Sequence, residues 1–96
     1  MTRLKIIAVC GFGVGSSLLL KMKVDEMLKK NGMTHNVETC DVGSATSIAC
    51  DIIFTSNELA GKISERASVP VIAIGNFLDL DEIQDKGLDI IKNLMS

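Results

Sequence analysis

The chain has 96 residues, a formal net charge of −2 and three aromatic side chains, all Phe. That length suits one modest core, and the balanced charge and absence of Tyr and Trp exclude the basic, stacking surface of a nucleic-acid binder. The apolar runs are too short to span a bilayer, and three cysteines without framework spacing suggest reduced thiols in a cytoplasmic protein.

Residues 4–9 form a nearly continuous apolar run, the pattern of a strand buried on both faces. Basic residues before this run and Cys10 after it faintly mimic a lipoprotein leader. The apolar part is too short and Val9 precedes the cysteine, so no leader is expected. The stretch Cys10-Gly11-Phe12-Gly13-Val14-Gly15-Ser16-Ser17 comes next, then a helix predicted over 18–30 with Ser16 or Ser17 as its cap. Leu20, Val24, Met27 and Leu28 recur at helical spacing and form its core face, leaving Leu18 and Met22 on the opposite side. Lys29 and Lys30 suit the end of the helix dipole, and Asn31-Gly32 is a stop.

Residues 35–41 alternate weakly and read as an edge strand. His35 opens it and is expected on the surface, at the end of the sheet away from Cys10. Residues 42–50 are small and polar, at most a short helix. An apolar strand over 51–55 leads into Thr55-Ser56-Asn57 as its carboxyl-end loop. Residues 58–67 carry Leu59, Ile63 and Ala67 on one helical face, and 69–74 is a further strand with Pro70 near its start. Asp79 and Glu82 have the spacing of an acidic capping box. They open a last helix with Ile83, Gly87, Ile90, Ile91 and Leu94 toward the core. This alternation predicts one α/β domain over 1–96, a parallel sheet with helices on both faces. A strand order of 2-1-3-4 puts the switch point between strands 1 and 3. The Cys10 segment and Thr55-Ser56-Asn57 would then line one site.

A cysteine ending a buried strand can be a small hydrophobe. A glycine-rich turn and a helix start favour the other reading, since such surroundings lower a thiol pKa from ~8.5 toward roughly 3.5–7.5. Inward amides and the helix N-terminus suit a phosphate dianion. A dinucleotide fingerprint fails because Ser16 stands where its third glycine belongs, and no Gly-Lys-Ser/Thr completes a P-loop. A cysteine phosphatase needs Cys-x5-Arg, and again the position holds Ser16. Without that guanidinium the site can hold phosphate but is poorly equipped to hydrolyse it. Glu58 and Asp41 are the nearest candidates for a general acid. The chemistry points to a phosphoryl carrier that needs no cofactor and no metal. A small cysteine phosphatase and a thiol redox or regulatory module are the alternatives, the latter marked by a Cys10–Cys40 disulfide. Cys40 and Cys50 read as buried small side chains. Lys21 and Lys23 either steer a partner or solubilise the helix.

The string from Val9 to Ser17 resembles the phosphocysteine loop of enzyme IIB components of the sugar phosphotransferase system. Within the lactose–ascorbate superfamily it is most similar to the ascorbate type. Galactitol- and mannitol-type loops share the cysteine and the small residues. The resemblance extends through Lys21-Met22-Lys23-Val24-Asp25, Asp51-Ile52-Ile53 and Leu59-Ala60-Gly61. It implies a phosphatase-like loop in which Cys10 takes a phosphoryl group from a IIA phosphohistidine and passes it to a sugar in the membrane IIC component. Gly11, Phe12, Gly13, Val14, Gly15, Ser16 and Ser17 would bind the phosphate, Phe12 and Val14 through backbone alone. Leu18 and Met22, with Thr55, Ser56 and Asn57, are the candidate docking residues for these partners.

Overall fold

A computed structural model describes residues 4–9, 14–33, 35–45 and 47–95, with the backbone alone for 14–17. Strands and helices alternate as β1 (Lys5–Val9), α1 (Val14–Lys30), β2 (Asn36–Cys40), α2 (Val42–Ala45), β3 (Ile52–Ser56), α3 (Asn57–Arg66), β4 (Val71–Ile74) and α4 (Leu80–Met95). The strands form one sheet in the order β2-β1-β3-β4, and every pairing is parallel. This is the predicted α/β architecture, order included.

Strand side chains alternate between faces, so β1 and β3 feed two cores. Ile6, Ala8, Ile52 and Phe54 pack under α1 and α4 with Leu20, Val24, Met27, Leu28, Ile83 and Ile91. Ile7, Val9 and Ile53 pack on the other face with Ala45 of α2 and Ile63 of α3. That double burial explains why both strands read as unbroken apolar runs. Gly87 lets α4 sit directly on the Phe54 ring, because a Cβ there would lie 2.5 Å from Phe54 Cζ. Gly32 ends α1 with φ +71°, and the Met33 amide donates back to the Leu28 carbonyl at 2.8 Å.

Four expectations need correction. First, α1 starts at Val14, so Ser16 and Ser17 lie in its first turn rather than capping it. Residues of a first turn donate no intrahelical hydrogen bond, so glycine and serine cost less there than in a helix interior. Second, His35 is 7% exposed, not a surface residue. Its Nδ1 accepts the Leu4 amide at 3.0 Å, which fixes the start of β1. Third, Leu94 is exposed, while Leu88 is buried and Met95 packs on the core; the apolar stripe of α4 drifts sideways in its last turns. Fourth, the capping box is half made. The Glu82 amide donates to Asp79 Oδ1 at 3.2 Å, but the Glu82 carboxylate turns to the β4–α4 connection instead. There it accepts the amides of Gly75 at 2.7 Å and Asn76 at 3.0 Å.

Candidate functional site

In an open parallel sheet the binding crevice lies beyond the carboxyl ends of the strands, where successive connections leave toward opposite faces. Here α1 follows β1 onto one face and α3 follows β3 onto the other, so the switch point falls between β1 and β3. The two strands end level, with Val9 beside Thr55. The Thr55 hydroxyl donates to the Val9 carbonyl at 3.0 Å and ties the strand ends together. Cys10, Gly11, Phe12 and Gly13, which join Val9 to α1, lie outside the described residues. The side chains of Val14, Gly15, Ser16 and Ser17 do as well, but their backbone is the opening turn of α1. The first amides of a helix have no intrahelical acceptor. Four of the eight positions expected to bind or carry phosphate thus belong to the first turn of a helix, whose N–H groups have no intrahelical acceptor and which suits an anion.

Charge along this edge of the sheet is distributed unevenly. Beyond β2, Asp41 accepts the Ser44 amide at 3.0 Å. Hydrogen bonds from the Ser44 side chain and then its amide hold the Asp41 carboxyl below the ordinary carboxylate range. Beyond β4, Lys86 first, then the Gly75 and Asn76 amides, lower Glu82 to about 2. The Lys86 ammonium lies 2.6 Å from Glu82 Oε2 and also donates to the Ala73 carbonyl at 3.1 Å. Both flanks therefore supply their own carboxylates to exposed amides. In the centre, the first turn of α1 contains no acidic residue. An external anion is favoured there by the helix dipole.

The remaining site residues separate clearly. Thr55 is 0% exposed and its hydroxyl is engaged with Val9, so it cannot form part of a docking surface. Ser56 and Asn57 do not form a loop. Ser56 closes β3 and stands at the N-cap of α3, and Asn57 is the exposed first residue of that helix. Leu18 and Met22 are 47% and 58% exposed, on the first two described turns of α1 side chains. Lys21 and Lys23 pair with Asp25 at 3.0 Å and Glu26 at 3.4 Å on the same helix, which favours their solubilising role. Cys40 lies beside Val9 in register. Burial, then the neighbouring Asp41, pushes its thiol up. Burial, then Asp51, does the same to Cys50. Both pack against the α2–α3 core, as small hydrophobes do. Asp41, held ionised as a helix cap, is unsuited to act as a general acid. Glu58 is exposed in the first turn of α3.

A cavity of about 360 Å³ lies elsewhere, lined by Ala45, Ile48, Cys50, Ile53 and Val69 among others. Its lining residues Cys50 and Val69 precede β3 and β4, so it lies by the amino ends of those strands and takes no part in the switch point. Among the described residues, no three His, Cys, Asp or Glu side chains group as a metal site, and no helix is long and apolar enough to cross a membrane. The Glu82 clamp was missed in the sequence, although its i,i+4 spacing to Lys86 was a visible signal.

With this geometry in view, residues 5–86 match the model of the PTS system, Lactose/Cellobiose specific IIB subunit family. The chain belongs to that IIB family. Members of the family are phosphotransferase components of sugar transport. The chain is 40% identical to the ascorbate-specific PTS system EIIB component of Salmonella choleraesuis (strain SC-B67). That match spans 92% of this chain and 89% of the relative. It is 39% identical, over the same shares, to the protein of that name from Escherichia coli O157:H7. Among solved structures, the lactose-specific IIB component domain from Streptococcus pneumoniae superposes with a TM-score of 0.59. It covers 98% of this chain and 96% of its own at 14% identity, so this likeness speaks to the fold.

Proposed function

We propose that the chain is a cytoplasmic phosphoryl carrier, a single IIB domain over 1–96 that holds the phosphoryl group on Cys10. The donor is a phosphohistidine on a IIA protein, and the acceptor is a sugar in a membrane IIC permease. The names of the relatives favour ascorbate or a similar sugar acid. The observation that carries this reading is the centre of the carboxyl edge. There the chain passes from Val9 through Cys10 into an α1 first turn free of carboxylates.

In the first transfer the Cys10 thiolate attacks phosphorus in line. The S–P bond forms as the N–P bond to histidine breaks, and the electron pair leaves with the imidazole. In the second, a sugar hydroxyl attacks, the S–P bond breaks and the thiolate is regenerated, while the hydroxyl proton passes to a base on the acceptor side. Backbone amides of residues 11–17 hold the phosphoryl oxygens through both steps. Without an arginine at position 16, hydrolysis lacks the group that would stabilise charge on those oxygens. Leu18 and Met22 give donor and acceptor a shared apolar contact beside the site, and Asn57 borders it from α3.

The test is intact mass after incubation with phosphoenolpyruvate, the general phosphotransferase proteins and a IIA donor, beside Cys10→Ser. One added phosphate on the native chain and none on the variant is the expected result. No added phosphate on a native chain whose Cys10 is reduced and alkylatable overturns the reading in favour of a phosphatase or redox module.

A further inference from the structure

The sheet has two outer edges, β2 and β4. An outer edge offers unpaired N–H and C=O groups to any further strand, and charged side chains commonly keep such strands away. β2 carries Glu38 at its centre, whereas β4 is Val71-Ile72-Ala73-Ile74, without a charge of its own. The direction of the β4 backbone groups follows from the Ile53 amide, which donates to the Pro70 carbonyl at 3.0 Å. The backbone of Pro70, Ile72 and Ile74 faces β3, and that of Val71 and Ala73 points off the sheet. Of these outward groups, the Ala73 carbonyl is the one with a partner among the described residues. The Lys86 ammonium reaches it from α4 at 3.1 Å and is held there by Glu82 Oε2 at 2.6 Å.

Val71 and Ala73 point the same way and stand either side of Ile72, so the edge is self-complementary. Two β4 strands laid antiparallel about a twofold axis set Ile72 against its own copy, and Val71 of each strand against Ala73 of the other. Both of the latter pairs are of the hydrogen-bonded kind, exchanging N–H···O bonds in each direction. A second copy of this chain is the strand this edge fits, through an isologous contact. That contact needs the Ala73 carbonyl as an acceptor, and Lys86 already holds it.

We propose that Lys86 keeps the chain from assembling through β4, by occupying the carbonyl that a second copy must use. An approaching strand has to displace the ammonium from Ala73, and pairing brings two ammonium groups to one seam, where like charges repel. Glu82 shares in this contact. The carboxylate that clamps the Gly75 and Asn76 amides also fixes the ammonium over the edge.

The experiment compares the native chain with Lys86→Ala and Lys86→Arg by light scattering across a concentration series, and by amide hydrogen exchange at Val71 and Ala73. Alanine is a strong helix former, so α4 is retained. The expected mass of Lys86→Ala rises with concentration to about twice that of the native chain, as a closed isologous pair requires. In the same samples, exchange at the Val71 and Ala73 amides slows about tenfold as they become paired. Lys86→Arg keeps a donor over the carbonyl and follows the native chain in both measurements. The proposal is overturned if Lys86→Ala has the native mass at every concentration, or if it associates without protecting those two amides. A mass that climbs past the dimer overturns the twofold pairing, and an arginine variant that behaves like alanine shows that the donor is not what closes the edge.

Discussion

The two ends of the sheet use polar residues in different ways. At the amino end, side chains close the backbone of β1. His35 accepts the Leu4 amide, and Asp51 Oδ2 accepts the Lys5 amide at 2.8 Å while its own amide returns to the Lys5 carbonyl. At the carboxyl end, among the described residues, carboxylates take backbone amides on the flanks, through Asp41 and Glu82, while at the centre Thr55 ties the end of β3 to the Val9 carbonyl. Between them stand a buried serine hydroxyl without a partner among the described residues and a helix start without an acid. Hydrogen bonds at the amino end complete the fold, whereas the proposed function assigns the donors at the centre of the carboxyl end to a ligand.

Removing the Cys10 thiol is the largest expected break, a complete loss of phosphate uptake with no loss of stability. His35→Ala should do the reverse. It strands the Leu4 amide in a buried position, which costs about 1–3 kcal/mol. Urea denaturation should show that loss, while uptake by the folded fraction stays normal. A variant that loses uptake without losing stability would contradict the division between the two ends. Leu18→Ser with Met22→Ser tests the rim of the site. About a tenfold rise in the IIA concentration giving half-maximal rate corresponds to about 1.4 kcal/mol of docking energy. Melting and Cys10 labelling should be unchanged, and unaltered transfer kinetics would remove these residues from the docking surface.

The smallest effect belongs to Glu82. Its folded pKa of about 2 lies below the ordinary carboxylate value of 4.5. Its contribution is therefore complete above about pH 4.5 and is lost as pH falls toward 2. Glu82→Gln should melt slightly lower than the native chain at neutral pH, and the two curves should converge between pH 4.5 and 2. A constant gap across that window would mean that the carboxylate charge is not what clamps Gly75 and Asn76.

Much of the fold was legible because local pattern and tertiary structure agree. The core face of α1 followed from helical spacing, since Leu20, Val24, Met27 and Leu28 are all buried. The strand order followed from alternation together with the chemistry placed at one edge. His35 was misread because a weakly alternating edge strand gives no sign that its first side chain turns inward to a backbone amide 31 residues away in sequence. The start of α1 was misread because Gly15, Ser16 and Ser17 are poor interior helix formers, a preference that loses force in a first turn.

By itself the sequence determined the alternating architecture, the apolar faces and the cysteine–glycine stretch that identifies the family, because these depend on residue type and short-range spacing. The tertiary structure alone decided what each polar side chain does. Thr55 and Ser56 are adjacent hydroxyls with similar chemistry, yet strand pairing ties one to Val9 and leaves the other buried without a partner among the described residues. Hydrogen bonding depends on which groups meet across the sheet, and neighbours in sequence point to opposite faces of it.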